Sequence, residues 1–448
     1  MKAFLVAGSA SGVGKTTVTL ALLAALRERG LRVQPFKAGP DFLDPGHHQA
    51  VSGVASRTLD GWMIPADENR RIFWRAVRGR DVAVVEGMMG LFDGVAGDTE
   101  EGSSAALAKL LGIPVIFVLD AGGSVRSLGA VLRGFRDFDA DVRIAGVIAN
   151  RVGGARHVAD VAAALAPLGI PFLGGLPWQP AATVPERHLG LVTADETAWS
   201  RDDVRRLAAL ARDHLDLGRL LDVTEVREPP PSPAEPTATA PSVRVAVARD
   251  AAFCFYYRDN LERLVGAGAE LVEWSPLADE PLPAGTRLVY LGGGYPEVHT
   301  ERLAANGVAR RAVAEFARGG GSIYAECGGL MYLGEHLRTV DGRTFPMCGV
   351  LPLAVRMEPR LAALGWVEVR ADLGEGRTLV ARGHEFRHST LETPVPSTLA
   401  TAYEVRDARG DRSWREGYRV GRTLASYVHV HFASCPDFPA RLLAGAAS

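Results

Sequence analysis

The sequence predicts an α/β protein with two open parallel sheets, each covered by helices, carried on one chain. Three observations predict it: short apolar runs alternate with helical patterns in both halves, a glycine-rich turn joins the first run to the first helix, and a proline-rich stretch divides the chain near its middle. Strands buried on both faces read as near-continuous Val/Ile/Leu runs, and alternation with helices is what makes them parallel. In the first half, residues 3–7, 33–36, 82–85, 115–119, 144–148 and 172–176 read as strands, and 16–28 and 103–111 as helices. In the second half, 243–248, 288–291 and 322–325 are strand-like, with helices expected near 256–265 and 301–317. Between them, residues 226–242 read VREPPPSPAEPTATAPS. Proline continues neither a helix nor a central strand, so this segment is an extended linker between domains at 1–225 and 243–448.

Composition narrows the function classes. Lys+Arg 50 against Asp+Glu 52 gives a net charge of −2, which argues against a nucleic-acid partner, because phosphate-backbone affinity needs clustered basic excess. Cys254, Cys327, Cys348 and Cys435 lie far apart without a CxxC pair, against a disulfide scaffold or zinc ribbon. The apolar run 3–7 is too short for a signal peptide, and the stretch 18–26 falls short of the ~20 residues that span a bilayer. A cytoplasmic protein without a membrane partner is expected.

Directly after the first strand, Gly8-Ser-Ala-Ser-Gly12-Val-Gly14-Lys15-Thr16-Thr17 opens a helix. Strand, glycine-rich turn and helix N-terminus together aim backbone N–H groups at phosphate oxygens. Gly12, Gly14 and Thr17 are expected to line the nucleotide, Lys15 to reach its β- and γ-phosphates, and Thr16 to ligate Mg²⁺. The spacing departs from GxxxxGK[ST], whose first glycine would fall at Ser9. Two further segments, KAGPDFLDP (Asp41, Asp44) and EGMMGLFDG (Glu86, Asp93), follow strands and should sit beside this turn at the carboxyl ends of the sheet. Their carboxylates are candidates for Mg²⁺ or substrate, though each alone also suits a capping or turn residue. Asn150, after the strand 144–148, is a candidate for an adenine edge or a simple turn residue.

In the second half, SIYAECGGLMYLG places Cys327 on a tight turn between strand and helix, a position that favours the thiolate. His429 and His431 in SYVHVHF supply a base, and alternation would put both on one strand face. Two such histidines could also bind metal, but no third ligand stands nearby. The Gly292-Gly293-Gly294 loop follows a strand, and the backbone of Gly293 and Gly294 could donate to an oxyanion. Together these segments specify acyl transfer by a Cys–His enzyme.

The motifs GSASGVGKTT, KAGPDFLDP, EGMMGLFDG, PERHLGL, AFCFYYRDNLE, GGGYPE, AECGGLMYL, GHEF and SYVHVHF occur in the order of the cobyrinic acid a,c-diamide synthase family, which the chain resembles over nearly its whole length. The resemblance implies a dethiobiotin synthetase-like P-loop domain followed by a flavodoxin-like, triad-type glutamine amidotransferase domain. It implies that glutamine is hydrolysed at Cys327 through a thioester. The released ammonia would pass within the protein to the ATP site and displace phosphate from an acyl phosphate, made in turn on the c and a carboxylates of cobyrinic or hydrogenobyrinic acid. ATP and Mg²⁺ are the implied cofactors, with Mg²⁺ on Thr16, Asp41 or Glu86. A corrinoid tetrapyrrole and L-glutamine are the implied partners, Asp44 and Asp93 touch metal or corrinoid, and a homodimer is the assembly to test. Arg126, Arg187 and His188 are candidates for holding substrate carboxylates.

Two departures from the resemblance stand out. Triad-type glutaminases usually carry Glu two residues after the catalytic His, where this chain has His431 after His429 and Ala433 after His431. The third triad member is therefore open, although register with cobyric acid synthases favours His429 as the base. The aromatic expected after GHEF is replaced by Arg387-His388-Ser389. Three rival readings fit the sequence less well. A P-loop regulatory ATPase typically has lysine where Ala10 stands and lacks ECGG; KAGPDFLDP and SYVHVHF argue against a cobyric acid synthase; and Cys327 with two histidines argues against an inactive glutaminase-fold module.

Overall fold

The structure, a computed structural model, describes residues 1–178, 199–227, 242–373, 378–392 and 394–447. Most of the proline-rich segment, the PERHLGL motif, and with it Arg187 and His188, lie outside the described residues. The chain divides into two compact units, Met1–Pro233 and Ala234–Ser448. Val226, taken from sequence as the first linker residue, is buried and its N–H donates to Met1 O at 3.0 Å, so it packs with the first unit.

In the first unit, β1 (Lys2–Gly8), β2 (Val33–Ala38), β3 (Arg57–Leu59), β4 (Val82–Glu86), β5 (Val115–Asp120), β6 (Ile144–Val152) and β7 (Phe172–Pro177) form one parallel sheet ordered β3-β2-β4-β1-β5-β6-β7. The apolar runs are continuous because the central strands are covered on both faces. Helix α1 (Lys15–Glu28) is buried along nearly all of Val18 to Leu26, lying between the sheet and the helix Arg201–His214, whose Leu207 and Leu210 join the same core. That double burial explains why α1 carries leucine and alanine on every side instead of a single apolar stripe. Helix α2 (Leu43–Ser52) follows β2, and the helix Ser104–Leu111 starts where Ser103 Oγ accepts the Ala106 N–H at 3.1 Å.

The second unit departs from the expectation of a wholly parallel sheet. β8 (Val243–Ala248), β9 (Ala269–Trp274), β10 (Leu288–Leu291) and β11 (Ser322–Glu326) are parallel, as expected. The unit also holds a small sheet of β12 (His336–Arg338), β13 (Thr344–Pro346), β14 (Ala354–Met357) and β17 (Ser389–Leu391), and its main sheet gains an antiparallel extension. This comprises β15 (Ala363–Asp372), β16 (Thr378–Arg387), β18 (Ala400–Asp407) and β19 (Ser413–Val420). β20 (Thr423–Ser426) returns beside β11, and β21 (His429–Val430) pairs with β16, giving the order β21-β16-β15-β18-β19-β20-β11-β10-β8-β9. The helix expected over 301–317 is two, Thr300–Ala305 and Gly307–Arg318. Asn306 breaks it because its side-chain amide donates to Pro276 O and Leu277 O at 2.8 and 2.9 Å, fixing a non-helical backbone.

Candidate functional site

At the carboxyl ends of β1, β2 and β4 the first sheet gathers a charged cluster. α1 starts after Gly14, whose φ is +97° and whose α-carbon would put a side-chain carbon 1.9 Å from Asn150 Nδ2. Glycine alone fits both demands, and the turn then delivers Lys15 to the start of the helix. Lys15 is buried, and its Nζ donates to Ala10 O at 2.9 Å and Met89 O at 2.6 Å. Burial, then the nearby Lys37 charge, lowers its pKa to about 8.

Thr16 Oγ1 donates to Glu86 Oε1 at 2.7 Å. Glu86 is fully buried at the end of β4, with Lys37 Nζ at 3.1 Å from Oε1 and His48 Nε2 at 2.7 Å from Oε2. Burial opposes the Glu86 charge, but Lys37 and His48 outweigh it and hold the carboxyl well below the usual range. Lys37 also pairs with Asp44 at 2.5 Å and Asp41 at 3.7 Å, so burial fails to neutralise it and its pKa is raised. One ammonium thus faces three carboxylates. Burial, then the Asp41 and Glu86 charges, raises the Asp44 pKa well above the usual carboxylate range against the pull of Lys37. These carboxyl oxygens, next to the Thr16 hydroxyl, are a hard-oxygen donor set of the kind Mg²⁺ uses with phosphates and water. Among the described residues, no three His, Cys, Asp or Glu side chains are grouped to hold a metal by themselves.

Several candidates sit differently from expectation. Asn150 Nδ2 donates to Val13 O at 2.9 Å, so in this structure it braces the phosphate-binding turn and is not turned outward to an adenine edge. The reason is that β6 continues to Val152 and carries Asn150 under the turn, where the sequence suggested a loop. Asp93 is exposed and accepts from Gly90 N at 2.9 Å, within its own loop. Asp41 Oδ1 accepts from Leu43 N at 2.8 Å and Asp44 N at 3.1 Å at the start of α2, while Oδ2 faces Lys37. Arg126 is exposed before the helix Ser127–Phe138. Gly12 O accepts from Arg151 Nη2 at 2.8 Å, and Thr17 is half-buried in the first turn of α1. Lys37, His48 and Arg151 were passed over in the sequence. Lys37 stands in KAGPDFLDP, but its meaning depends on Glu86, which the pairing of β2 with β4 brings beside it.

In the second sheet the chain turns sharply after Glu326. Cys327 has φ 48° and ψ −102°, a costly backbone for a residue with a side chain, held by its N–H donating to Ser426 O at 2.7 Å. The following helix, Gly328–Leu333, brings Gly328 against the glycine loop, with Gly294 N 3.1 Å from where a Gly328 side chain would begin. On the other side of that loop, a side-chain carbon on Gly293 would fall 2.4 Å from His429 Cε1. The three-glycine loop therefore packs against both Gly328, the residue after the thiol, and the His429 imidazole, where only bare backbone fits.

The single strand expected to carry both histidines is broken. β20 ends at Ser426, β21 holds only His429 and Val430, and His431 caps a short 3₁₀ turn, with its Nδ1 accepting from Ala433 N at 3.3 Å. The break arises because β20 pairs with β11 whereas β21 crosses to β16. His429 stacks on His384 with centroids 4.9 Å apart, and His431 packs on Tyr257 at 4.6 Å. Burial, joined for His431 by Arg263, lowers both pKa values to about 3, so both rings are neutral at ordinary pH. Glu326 Oε2 lies 3.9 Å from His429 Nδ1. Glu326, Tyr257 and His384 are the members of this cluster that sequence reasoning missed; GHEF flagged His384 only as part of a motif.

Burial of Cys327 works against the thiolate that the turn was expected to favour. Burial, reinforced by Glu297, pushes the Cys327 thiol up to about 12, against the opposing Arg387 charge and Gly328 amide. A six-residue helix supplies too little field to win against desolvation. The resting thiol is neutral and needs a base. Alkylation of Cys327 by iodoacetamide, followed on its own peptide by mass spectrometry, should therefore accelerate about tenfold per pH unit from pH 7 to 9 without levelling. A plateau reached below pH 8 would show a preformed thiolate instead.

Comparisons with known proteins agree with this arrangement. Residues 4–192 match the CobQ/CobB/MinD/ParA nucleotide binding domain and residues 244–436 the CobB/CobQ-like glutamine amidotransferase domain. The cobyrinate a,c-diamide synthase of Syntrophotalea carbinolica is 45% identical over 443 residues, covering 96% of each chain. That of Salmonella typhimurium is 42% identical over 99% of this chain and 98% of the relative, and that of a Synechococcus species 41% identical over 97% and 96%. With similarity of this extent running through both the phosphate-binding turn and the thiol turn, the chain belongs to the cobyrinate a,c-diamide synthase family.

Proposed function

We propose that this protein amidates the a and c side-chain carboxylates of cobyrinic or hydrogenobyrinic acid, using glutamine as nitrogen donor and ATP as the driving force, in cobalamin biosynthesis. The observation that carries this reading is the presence, in one chain of this family, of a buried P-loop lysine (Lys15) and a strained cysteine turn (Cys327) sharing a glycine loop with His429. A carboxylate is a poor electrophile, so each is first phosphorylated, and ammonia then displaces phosphate. Lys15 stabilises charge on the transferring phosphoryl group, and Gly12, Gly14 and Thr17 shape the nucleotide-binding turn that Asn150 braces from below. Thr16, Glu86 and Asp41 would hold Mg²⁺, which supplies charge neutralisation at the phosphates; Lys37 keeps Glu86 ionised and holds Asp44 in place. At the other site His429 takes the thiol proton, while the Gly293 and Gly294 amides receive the developing oxyanion.

The test is incubation of purified protein with ATP, Mg²⁺, glutamine and either ring. The expected product carries two amides, with two glutamates and two phosphates released per ring. Phosphate release without amide formation would support a P-loop regulatory ATPase and overturn the proposal.

A further inference from the structure

The family resemblance leaves the third member of the glutaminase triad open, because no carboxylate follows either histidine at the usual spacing. The fold offers one from elsewhere. Glu326 ends β11, immediately before the nucleophile, and its side chain is buried with that of His429, Oε2 lying 3.9 Å from Nδ1. We propose that Glu326 is the positioning residue for His429, so that nucleophile and orienting carboxylate are adjacent in sequence. The inference rests on the glutaminase reading above.

Three donors hold this carboxylate. Tyr290 Oη donates to Oε2 at 2.9 Å, Tyr324 Oη to Oε1 at 2.8 Å, and Val430 N to Oε1 at 3.1 Å. Val430 is the neighbour of His429 on β21, so one residue of that strand is tied to Glu326 by its backbone while the next presents its imidazole to it. A buried carboxyl with no role would be expensive, since burial alone penalises its charge. Here burial raises its pKa to about 7 even against the tyrosine and Val430 hydrogen bonds. The charge becomes useful when His429 is protonated. As the sulfur–carbon bond forms to the glutamine side-chain carbonyl, the thiol proton passes to the imidazole. It leaves with NH₃ when the carbon–nitrogen bond breaks, and water then hydrolyses the thioester. In its ionised form Glu326 takes no proton in this cycle; it holds the ring's orientation and lowers the energy of the imidazolium.

Glu326→Gln keeps the size and removes the charge. Glutamate release, assayed without ring or ATP, should fall about 10²-fold in kcat with little change in KM for glutamine. Glu326→Asp should recover at least part of that loss, and Glu326→Gln should add nothing further in a His429→Ala background, because the two act as one unit. Tyr290→Phe removes one donor to the carboxylate and should move the acidic limb of the glutaminase pH profile upward. The titratable groups facing Glu326 are Tyr290, Tyr324, Tyr256, Tyr403 and His429. Ammonium-dependent amidation by the same preparations reports that the protein is folded. Wild-type kcat in Glu326→Gln, a loss confined to KM, or full additivity with His429→Ala would overturn the inference alone. A wild-type protein that releases no glutamate overturns the glutaminase reading together with it.

Discussion

Lys15→Ala stops ring amidation from glutamine and from ammonium salt alike. Removing a charged donor aimed at a transferring phosphoryl group costs about 10²–10³-fold in rate even for a single contact, and Lys15 stands at the start of α1, directly after the glycine turn. The protein should remain folded. Burial already disfavours the ammonium, whose pKa is lowered to about 8. Its loss leaves Ala10 O and Met89 O without that donor, a cost of about 1–3 kcal/mol each at most. Glutamate release from the other site serves as the internal control. Substantial diamide formation by this variant with ATP bound normally, read by mass spectrometry, would remove Lys15 from its proposed role.

Cys327→Ala should abolish glutamine hydrolysis and spare carboxylate phosphorylation. Alanine keeps a β-carbon on the same left-handed backbone, so the turn keeps its strain and its hydrogen bond to Ser426. Added ammonium should restore diamide formation, more so at higher pH, because free NH₃ and not NH₄⁺ attacks the acyl phosphate. Glutamate release and ring amidation are measured in the same tubes. If ammonium fails to rescue the folded variant while wild type uses it, the assignment of nitrogen supply and ring activation to separate sites is wrong.

The parts of this protein legible in its sequence are those whose cause is local. β1, the glycine turn and α1 are contiguous, and the buried parallel strands announce themselves as apolar runs. The antiparallel extension does not: in β15, Ala363–Asp372, charged residues such as Glu368 and Arg370 alternate with Val367 and Val369, as half-exposed strands do, and nothing local says where such a strand pairs. The same limit governs the sites. Lys15, Thr16, Cys327 and His429 sit in motifs that name them, and the structure brings Thr16 to Glu86 and His429 to the glycine loop. The clamp of Lys37 between Glu86 and Asp44, the approach of Glu326 to His429 and the depth at which Cys327 is buried all depend on strand neighbours distant in sequence. Sequence reasoning saw the turn that favours a thiolate and could not see the desolvation that outweighs it.

The pairing of β11 with β20 sets Ile323 beside Thr423, and that of β16 with β21 sets His384 beside His429. Long-separated pairings of this kind close large loops and form slowly, whereas the strand–turn–helix around Lys15 closes within its first few dozen residues. During synthesis His429 emerges about a hundred residues after Cys327 and roughly four hundred after Lys15, and domains tend to fold in order of emergence. The apparatus that consumes nitrogen can thus assemble on the ribosome before the one that liberates it. A half-made chain then holds Cys327 as a nucleophile without His429 as its base.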